Sequence, residues 1–317
     1  MKVSVLLITY NHEAFIAQAI ESALNQRTSF DYEIVVGDDA STDKTQAIVR
    51  EYQRARPDRV KLRFMRKNSG GLKNFLGALA ACQGEYIALL EGDDFWVSDQ
   101  KLEKQVALLE SRPDSAGCFA NSIVVDDRSN EIASDFFTYL GINVKPEIHA
   151  EDILPFGISP ANTLFFRRSI LENLPKWYTR FTTHCGLDLL ISLNGPYLHL
   201  DEFVGAYRLH PNSGWLAKPL SYRLANDLQH LKNLYDDEWM RTKYGPLIRA
   251  HVLRSLDSLL ANTPTWADCV EATRYFVKFL FSPPWQMGLI GLGVRRFSRR
   301  IYQAAVRMTQ VRASPTR

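Results

Sequence analysis

Short apolar runs alternate with helical-period segments along the opening third of the chain. Val3 to Thr9 is nearly all apolar and rich in strand formers, which predicts a buried first strand. Phe15/Ile16, Ala19/Ile20 and Ala23/Leu24 then recur at helical spacing and predict a helix. Glu33 to Gly37 is a second strand that runs into Asp38-Asp39. Ser41 or Thr42 stands where a cap belongs for a helix over 43–54. Val60 to Met65 is a third strand, and Asn68-Ser69-Gly70-Gly71 is a turn. A helix is expected over 72–82, with Gly84 as its stop. Tyr86 to Leu90 is a fourth strand that ends in Glu91, Asp93 and Asp94. Ser98 is the expected cap of a helix ending near Arg112-Pro113.

Alternation at this length implies right-handed crossover units and a parallel sheet covered on both faces. Ligands of such sheets bind beyond the carboxyl ends of the strands. Three strand ends carry polar clusters: Thr9-Tyr10-Asn11, Asp38-Asp39 and Glu91-Gly92-Asp93-Asp94. Any one could be a capping loop; three at one edge point to a site. From residue 116 the texture changes. Ala116 to Val125 reads as a strand, residues 126–160 are irregular, and Asn162 to Phe166 is a short strand before a helix over 168–174. His184-Cys185-Gly186-Leu187-Asp188 leads into a helix over Leu189 to Leu193, and Tyr197 to Tyr207 gives one or two strands. A loop then runs from Arg208 to Ser213. Helices are expected over 221–239, 246–261 and 266–281, punctuated by Gly245-Pro246 and Thr263-Pro264, before a Ser282-Pro283-Pro284 linker.

Composition is that of a soluble globular protein, with 46% hydrophobic and 23% charged residues, and a net charge of +3 makes no case for nucleic acid. Its distribution does change the picture. No acidic residue follows Glu271, whereas nine Lys or Arg do. A last predicted helix, 293–311, puts Val294, Phe297, Ile301, Ala304, Met308 and Val311 on one stripe, with Arg295, Arg296, Arg299, Arg300 and Arg307 largely off it. That pattern suits an anionic membrane surface; the plainer reading is a helix packed on its own domain with solvated arginines. The apolar run from Val3 to Ile8 breaks too early for a signal peptide, and no apolar run is long enough to span a bilayer. Cys82, Cys118, Cys185 and Cys269 are widely spaced and read as buried free thiols of a reducing compartment.

The acids after the fourth strand carry the chemistry. Three carboxylates within four residues repel one another, and a dication with hard oxygen ligands would relieve that. Such a cation also binds diphosphate, because Mg²⁺-type sites combine one or two carboxylates with substrate phosphates.

Val3 to Asn11, Glu33 to Asp43, Asn68-Ser69-Gly70 and Gly84 to Asp94 together resemble glycosyltransferase family 2. The resemblance covers residues 1–215 and leaves the chain beyond 219 unexplained. It implies a GT-A fold: a Rossmann-like mixed α/β sheet flanked by helices, here with a C-terminal helical extension. The GT-A domain then covers 1–218 (nucleotide-sugar half 1–115, acceptor half 116–218), and the residue pattern beyond it gives a helical extension over 219–282 and a basic amphipathic tail over 283–317. It places Thr9 and Tyr10 at the first nucleotide contact, Asp38 and Asp39 at the base and ribose, and Lys73 near the nucleotide. The acid stretch corresponds to the family's DxD motif, with Asp93 as metal ligand, Glu91 in place of its first Asp, and Asp94 extending it. His210 matches an element beside the diphosphate and metal, although a lone His is more often structural.

Asp188 matches the catalytic base that takes the acceptor hydroxyl's proton in an inverting transfer. The competing role for Asp188 is a carboxylate favoured at a helix N-terminus, and the two are compatible. Mg²⁺ or Mn²⁺ is the implied cofactor. The implied partners are a nucleotide-sugar, with UDP favoured, and a saccharide or lipid-linked acceptor. The implied setting is cell-surface glycan assembly at the cytoplasmic face of the plasma membrane. A nucleotidyltransferase and a non-catalytic nucleotide-sugar or membrane-binding module are the alternatives. The first lacks its basic, glycine-rich loop, since Tyr10-Asn11-His12-Glu13 contains neither Gly nor Lys.

Overall fold

The structure, a computed structural model, describes residues 1–154, 159–180, 186–211 and 220–261. They belong to two compact units, residues 1–213 and residues 214–317.

A mixed ten-stranded sheet organises the first unit. Strands β1 (Val3–Thr9), β2 (Tyr32–Asp38), β3 (Val60–Phe64) and β4 (Tyr86–Glu91) are parallel, in the spatial order β3-β2-β1-β4. The chain continues through β5 (Phe95–Trp96), β6 (Gly117–Val125), β7 (Glu131–Ala133), β8 (Glu147–Ile148), β9 (Phe165–Arg167) and β10 (Tyr197–Arg208). These extend the sheet as β9-β6-β10-β5, with β7 beside β6 and β8 beside β10. β9 is antiparallel to both β4 and β6, and β10 is parallel to β6. The carboxyl ends of β6 and β10 therefore face the same edge as those of β1, β2 and β4.

Register explains why the polar clusters meet. Val3 pairs with both Tyr32 and Tyr86, and at the other end Thr9 pairs with Asp38 and Ile8 with Glu91. Val3, Val5, Leu6 and Leu7 are fully buried, as are Ile34, Val35 and Val36 of β2 and Ile87 to Leu90 of β4. Burial on both faces is why these strands read as continuous apolar runs. Each such side chain contributes roughly 1.5–3 kcal/mol relative to exposure. The strands thus hold the polar ends in place.

Helices α1 (Ile16–Leu24), α2 (Thr45–Ala55), α3 (Gly71–Leu79) and α4 (Lys101–Ser111) lie between the early strands, as their periodicity predicts. Their ends differ from expectation. Neither Ser41 nor Thr42 caps α2. The Ser41 hydroxyl accepts from Asn11 N–H and donates to Asp38, while Asp43 accepts from Thr45 N–H at 2.9 Å. Ser98 does not cap α4; Gln26 Oε1, from beyond α1, accepts Leu102 N–H at 3.1 Å. Gly84 is not a helix stop, since α3 ends at Leu79. A Cβ on Gly84 would lie 2.3 Å from the Ser4 nitrogen, so the glycine serves close approach to β1.

The irregular stretch holds α5 (Phe136–Leu140) and α6 (Ala150–Ile153). Residues 161–163 form a 3-10 turn where strand was expected, and 168–171 another in place of a helix. The segment over Tyr197–Arg208 is one long strand, with register shifts between Leu200 and Gly205. Helix α7 (Leu187–Asn194) follows the undescribed residues 181–185.

The second unit is described as a helix pair, α8 (Leu220–Asp236) and α9 (Glu238–Ala261). Leu228, Leu231 and Leu234 of α8 are buried, as are Met240, Ile248 and Val252 of α9. Gly245-Pro246 was expected to separate two helices, yet α9 runs through Pro246. Proline removes one backbone donor, and the apolar stripe on both sides keeps the helix together. The expected helix at 266–281, the linker and the basic tail over 283–317 lie outside the described residues. Among the described residues no helix is long and apolar enough to cross a membrane. Cys82 and Cys118 are buried free thiols, as expected.

Candidate functional site

The loops after β1 and β2 are tied together by the polar residues that the strands deliver. Asp39 N–H donates to Thr9 O at 3.0 Å, Asn11 N–H to Ser41 Oγ at 2.8 Å, and Thr42 N–H to Asn11 Oδ1 at 2.8 Å. Asp38, fully buried, accepts from Ser41 N–H, the Ser41 hydroxyl and, at 2.5 Å, Gln46 Nε2. Asp39 accepts from Ser69 N–H, the Ser69 hydroxyl and Gly70 N–H at 2.8–2.9 Å. It thereby fixes the turn before α3. Tyr10 is 41% exposed at the lip of this edge, and Lys73 is exposed on α3.

The acid loop after β4 begins with Gly92 N–H donating to Ile8 O at 2.8 Å. Gly92 leaves no room for a side chain. A Cβ there would lie 2.6 Å from Thr9 Oγ1 and 3.0 Å from His12 Nδ1. Asp93 then faces two imidazoles. Its Oδ2 lies 3.1 Å from His210 Nε2 and 3.7 Å from His12 Nε2. Burial is the largest influence on Asp93 and acts upward, but His12 and the hydrogen bond from His210 outweigh it and hold the carboxyl below its usual value. Burial likewise drives His12 below the ordinary histidine range. Glu91 and Asp94 move the other way. Burial, then the charge of Asp93, pushes Glu91 up to about 8, and the same two causes, with Glu91 added, raise Asp94 well above the carboxylate range.

Arg208 braces this loop from the end of β10. It is 2% exposed, its N–H donates to Asp94 Oδ1 at 2.8 Å, and its Nε donates to Asp93 O at 2.7 Å. Its other nitrogens reach Asp126 O, Ser129 Oγ and Gln18 Oε1, and its guanidinium stacks near Phe15 and Phe95. The strand order that brings β10 to this edge places Arg208 and His210 against acids more than a hundred positions earlier.

Asp188 occupies a second cluster. It lies in the first turn of α7 and is 4% exposed. Its Oδ1 accepts from Ser159 Oγ at 2.5 Å and from Tyr197 OH at 2.8 Å. These described bonds do not reach the acid loop. The structure therefore joins Asp93 with His210, and keeps Thr9 and Glu91 beside them. Asp38 and Asp39 have their own partners, and the described bonds of Asp188 go to Ser159 and Tyr197.

His12, Arg208, Ser159 and Tyr197 were not singled out from the sequence. His12 had a signal, since it stands three residues after a strand end. The others are assembled only by the packing of β10, α7 and the 159–163 segment. No group of three His, Cys, Asp or Glu side chains among the described residues forms a ready-made metal cluster. A dication nonetheless fits the chemistry at Asp93. Asp94 Oδ2 and Thr9 Oγ1 are buried without a hydrogen-bond partner, and burial, then the Asp93 charge, raises the neighbouring carboxyls. Substrate phosphates supply the remaining ligands in sites of this kind.

Comparison with known proteins agrees with this architecture. Residues 4–174 match the model described as "Glycosyl transferase family 2", a span that stops short of Asp188 and His210. The chain is 30% identical over 220 residues to the uncharacterized protein Rv1520 of Mycobacterium tuberculosis, covering 67% of this chain and 60% of that one. It thus spans less than two thirds of that relative's length. The Escherichia coli protein WfaP, described as a UDP-Glc:alpha-D-GlcNAc-diphosphoundecaprenol beta-1,3-glucosyltransferase, is 30% identical over 173 residues, covering 54% of this chain and 63% of WfaP. Among solved structures, TarS of S. aureus in complex with UDP-GlcNAc superposes with a TM-score of 0.61 at 18% identity, over 88% of this chain and 79% of that one. The mannosyltransferase PcManGT of Pyrobaculum calidifontis, in complex with GDP-Man and Mn2+, gives 0.57 at 19% identity, over 97% and 87%. At those identities the likeness is one of fold, and the fold is GT-A. Family model, sequence relatives and strand order agree: the chain belongs to glycosyl transferase family 2.

Proposed function

We propose that this protein is an inverting, metal-dependent glycosyltransferase that moves a sugar from a nucleotide-sugar to a hydroxyl acceptor. The observation that carries the reading is the loop after β4, where Asp93 lies against His12 and His210 beside two carboxyls that burial and the Asp93 charge push above their usual range. Such a cluster of acidic oxygens accepts a cation with its phosphates. Asp93 and His210 would hold Mg²⁺ or Mn²⁺, with Glu91 and Asp94 lining the site. A dication bound there supplies positive charge to the departing diphosphate.

Tyr10, exposed at the lip, offers its ring to the base. Thr9 offers a buried hydroxyl, Asp38 and Asp39 set the walls of the nucleotide pocket, and Lys73 lies near the phosphates. Asp188 takes the proton from the acceptor hydroxyl as its oxygen attacks the anomeric carbon. The acceptor is a saccharide or a lipid-linked glycan of the kind WfaP's name specifies, and UDP is the favoured donor nucleotide, in line with the UDP-Glc of that name. The setting is the cytoplasmic face of the plasma membrane, where the basic tail over 283–317 provides peripheral attachment.

Calorimetry against a panel of nucleotide-sugars, with and without Mn²⁺, tests the reading. One sugar nucleotide binds tightly only with the cation, and Asp93→Ala loses that dependence. A panel without any binding sinks it. Vesicles with and without anionic lipid test the tail separately, and truncation at residue 282 should abolish the difference.

A further inference from the structure

Asp188 is one carboxylate on a helix that carries no other charged residue, and two hydroxyls from distant parts of the chain converge on one of its oxygens. We infer that Tyr197 and Ser159 are positioning residues for Asp188, holding its carboxylate in one rotation and in its charged form for proton removal. This rests on the proposed role of Asp188 as base.

The geometry is a triangle. Ser159 Oγ lies 2.5 Å and Tyr197 OH 2.8 Å from Asp188 Oδ1, and the two hydroxyl oxygens are 3.0 Å apart. Each hydroxyl has one hydrogen to give, and both hydrogens are satisfied by pointing at the carboxylate. The donors come from separate elements. Tyr197 opens β10, fully buried, with its ring 4.7 Å from that of Phe119. Ser159 precedes the 3-10 turn at 161–163. Two anchors on one oxygen remove the freedom of the carboxyl to rotate, which a helix N-terminus alone would leave. Hydrogen bonds to the charged form of an acid favour that form, so the pair keeps Asp188 ready as a base toward lower pH.

Cys118 of β6 lies behind Tyr197, and both are buried and hold their protons. Tyr197 is therefore a phenol donor throughout the working pH range. Glu151 and Asp152 of α6 are exposed, and Arg168 on the 3-10 turn at 168–171 donates to Gly84 O at 2.7 Å. Tyr197 and Ser159 are the donors to Asp188 among the described hydrogen bonds.

The test compares Tyr197→Phe, Ser159→Ala and Asp188→Asn in the full chain. The Asp188 carboxyl is followed by carbon NMR across a pH titration and assigned by its loss in Asp188→Asn. Removing either hydroxyl should move its midpoint up, by about one pH unit. Mn²⁺-dependent hydrolysis of UDP-glucose or UDP-GlcNAc, whichever calorimetry shows to bind, gives the kinetic arm. There the acid limb of kcat moves up with the midpoint, kcat falls about tenfold in either variant, and the KM for the donor stays unchanged. Ser159→Thr, which keeps the hydroxyl, should restore the wild-type midpoint. An unmoved midpoint in both hydroxyl variants overturns the inference, even if the variants melt earlier, because a purely structural pair would lower stability without shifting Asp188. Wild-type turnover in Asp188→Asn would instead overturn the base assignment.

Discussion

β2 ends in Asp38-Asp39 and β4 in Glu91-Gly92-Asp93-Asp94, with only β1 between them in the sheet. Both are acidic ends of buried strands, and both edges carry a tight loop. Their electrostatic positions differ. Asp38 and Asp39 each accept three hydrogen bonds from nearby loops, so their charges are compensated by protein donors. The acids after β4 lie closer to one another and interact. Asp93 shares two imidazoles, burial raises Glu91 and Asp94, and Asp94 Oδ2 is buried without a hydrogen-bond partner. The two ends match in acid density and differ in direction: burial and the Asp93 charge raise Glu91 and Asp94. Arg208 contributes to the contrast, because most of its donors go to carbonyls, a serine and a glutamine rather than to the carboxylates.

Substitutions can break that comparison. The largest effect belongs to Asp93→Ala. It should lower Mn²⁺-dependent nucleotide-sugar affinity by about 100-fold or more in calorimetry. Persisting Mn²⁺ dependence would place the cation elsewhere. Asp39→Asn should cost about 2–3 kcal/mol in urea unfolding, since an amide turns part of that acceptor into a donor facing the Ser69 and Gly70 N–H groups. Asp94→Asn should change stability by less than about 0.5 kcal/mol, because the amide keeps the oxygen that Arg208 N–H needs. Equal costs at the two positions would erase the distinction.

Gly92→Ala should cost about 1–3 kcal/mol, as the added methyl meets Thr9 and His12. A further effect is a slope with pH. The folded Glu91 carboxyl is raised from 4.5 to about 8, so the folded state binds more protons than the unfolded state between those values. Its stabilising contribution is complete below the lower value and is lost as pH rises through the upper one. The slope is on the order of 1 kcal/mol per pH unit at most. Glu91→Gln should flatten it in urea titrations over that window. An unchanged slope would mean that the carboxyl is already ionised at neutral pH.

Much of the donor half was legible because its signals are local. β1 to β4 and α1 to α4 are continuous apolar or amphipathic segments, and their positions follow from periodicity. The helix starts were misjudged for a physical reason. Ser41, Thr42 and Ser98 have the chemistry of caps, but α4 takes its acceptor from Gln26, and Ser41 is drawn to Asp38 and Asn11. A side chain that can cap will instead join the nearest uncompensated group, and the sequence does not show which group that is. Gly84 and Pro246 were misread because each was weighed as a local breaker. One serves close approach to a neighbouring strand, and the other is absorbed by a helix that packing sustains.

The sequence alone determined that acids would gather at the carboxyl ends of parallel strands, because strand period, run length and the positions of Asp38, Asp39, Glu91, Asp93 and Asp94 are properties of adjacent residues. Tertiary structure alone decided which of those acids remain uncompensated. That outcome depends on donors brought from afar: Arg208 at the end of β10, His210 just beyond it, His12 beyond β1, and Tyr197 with Ser159 around Asp188. The charge state of a carboxyl follows from burial and from what lies within a few ångströms of it. Both are set when the strands take their order in the sheet.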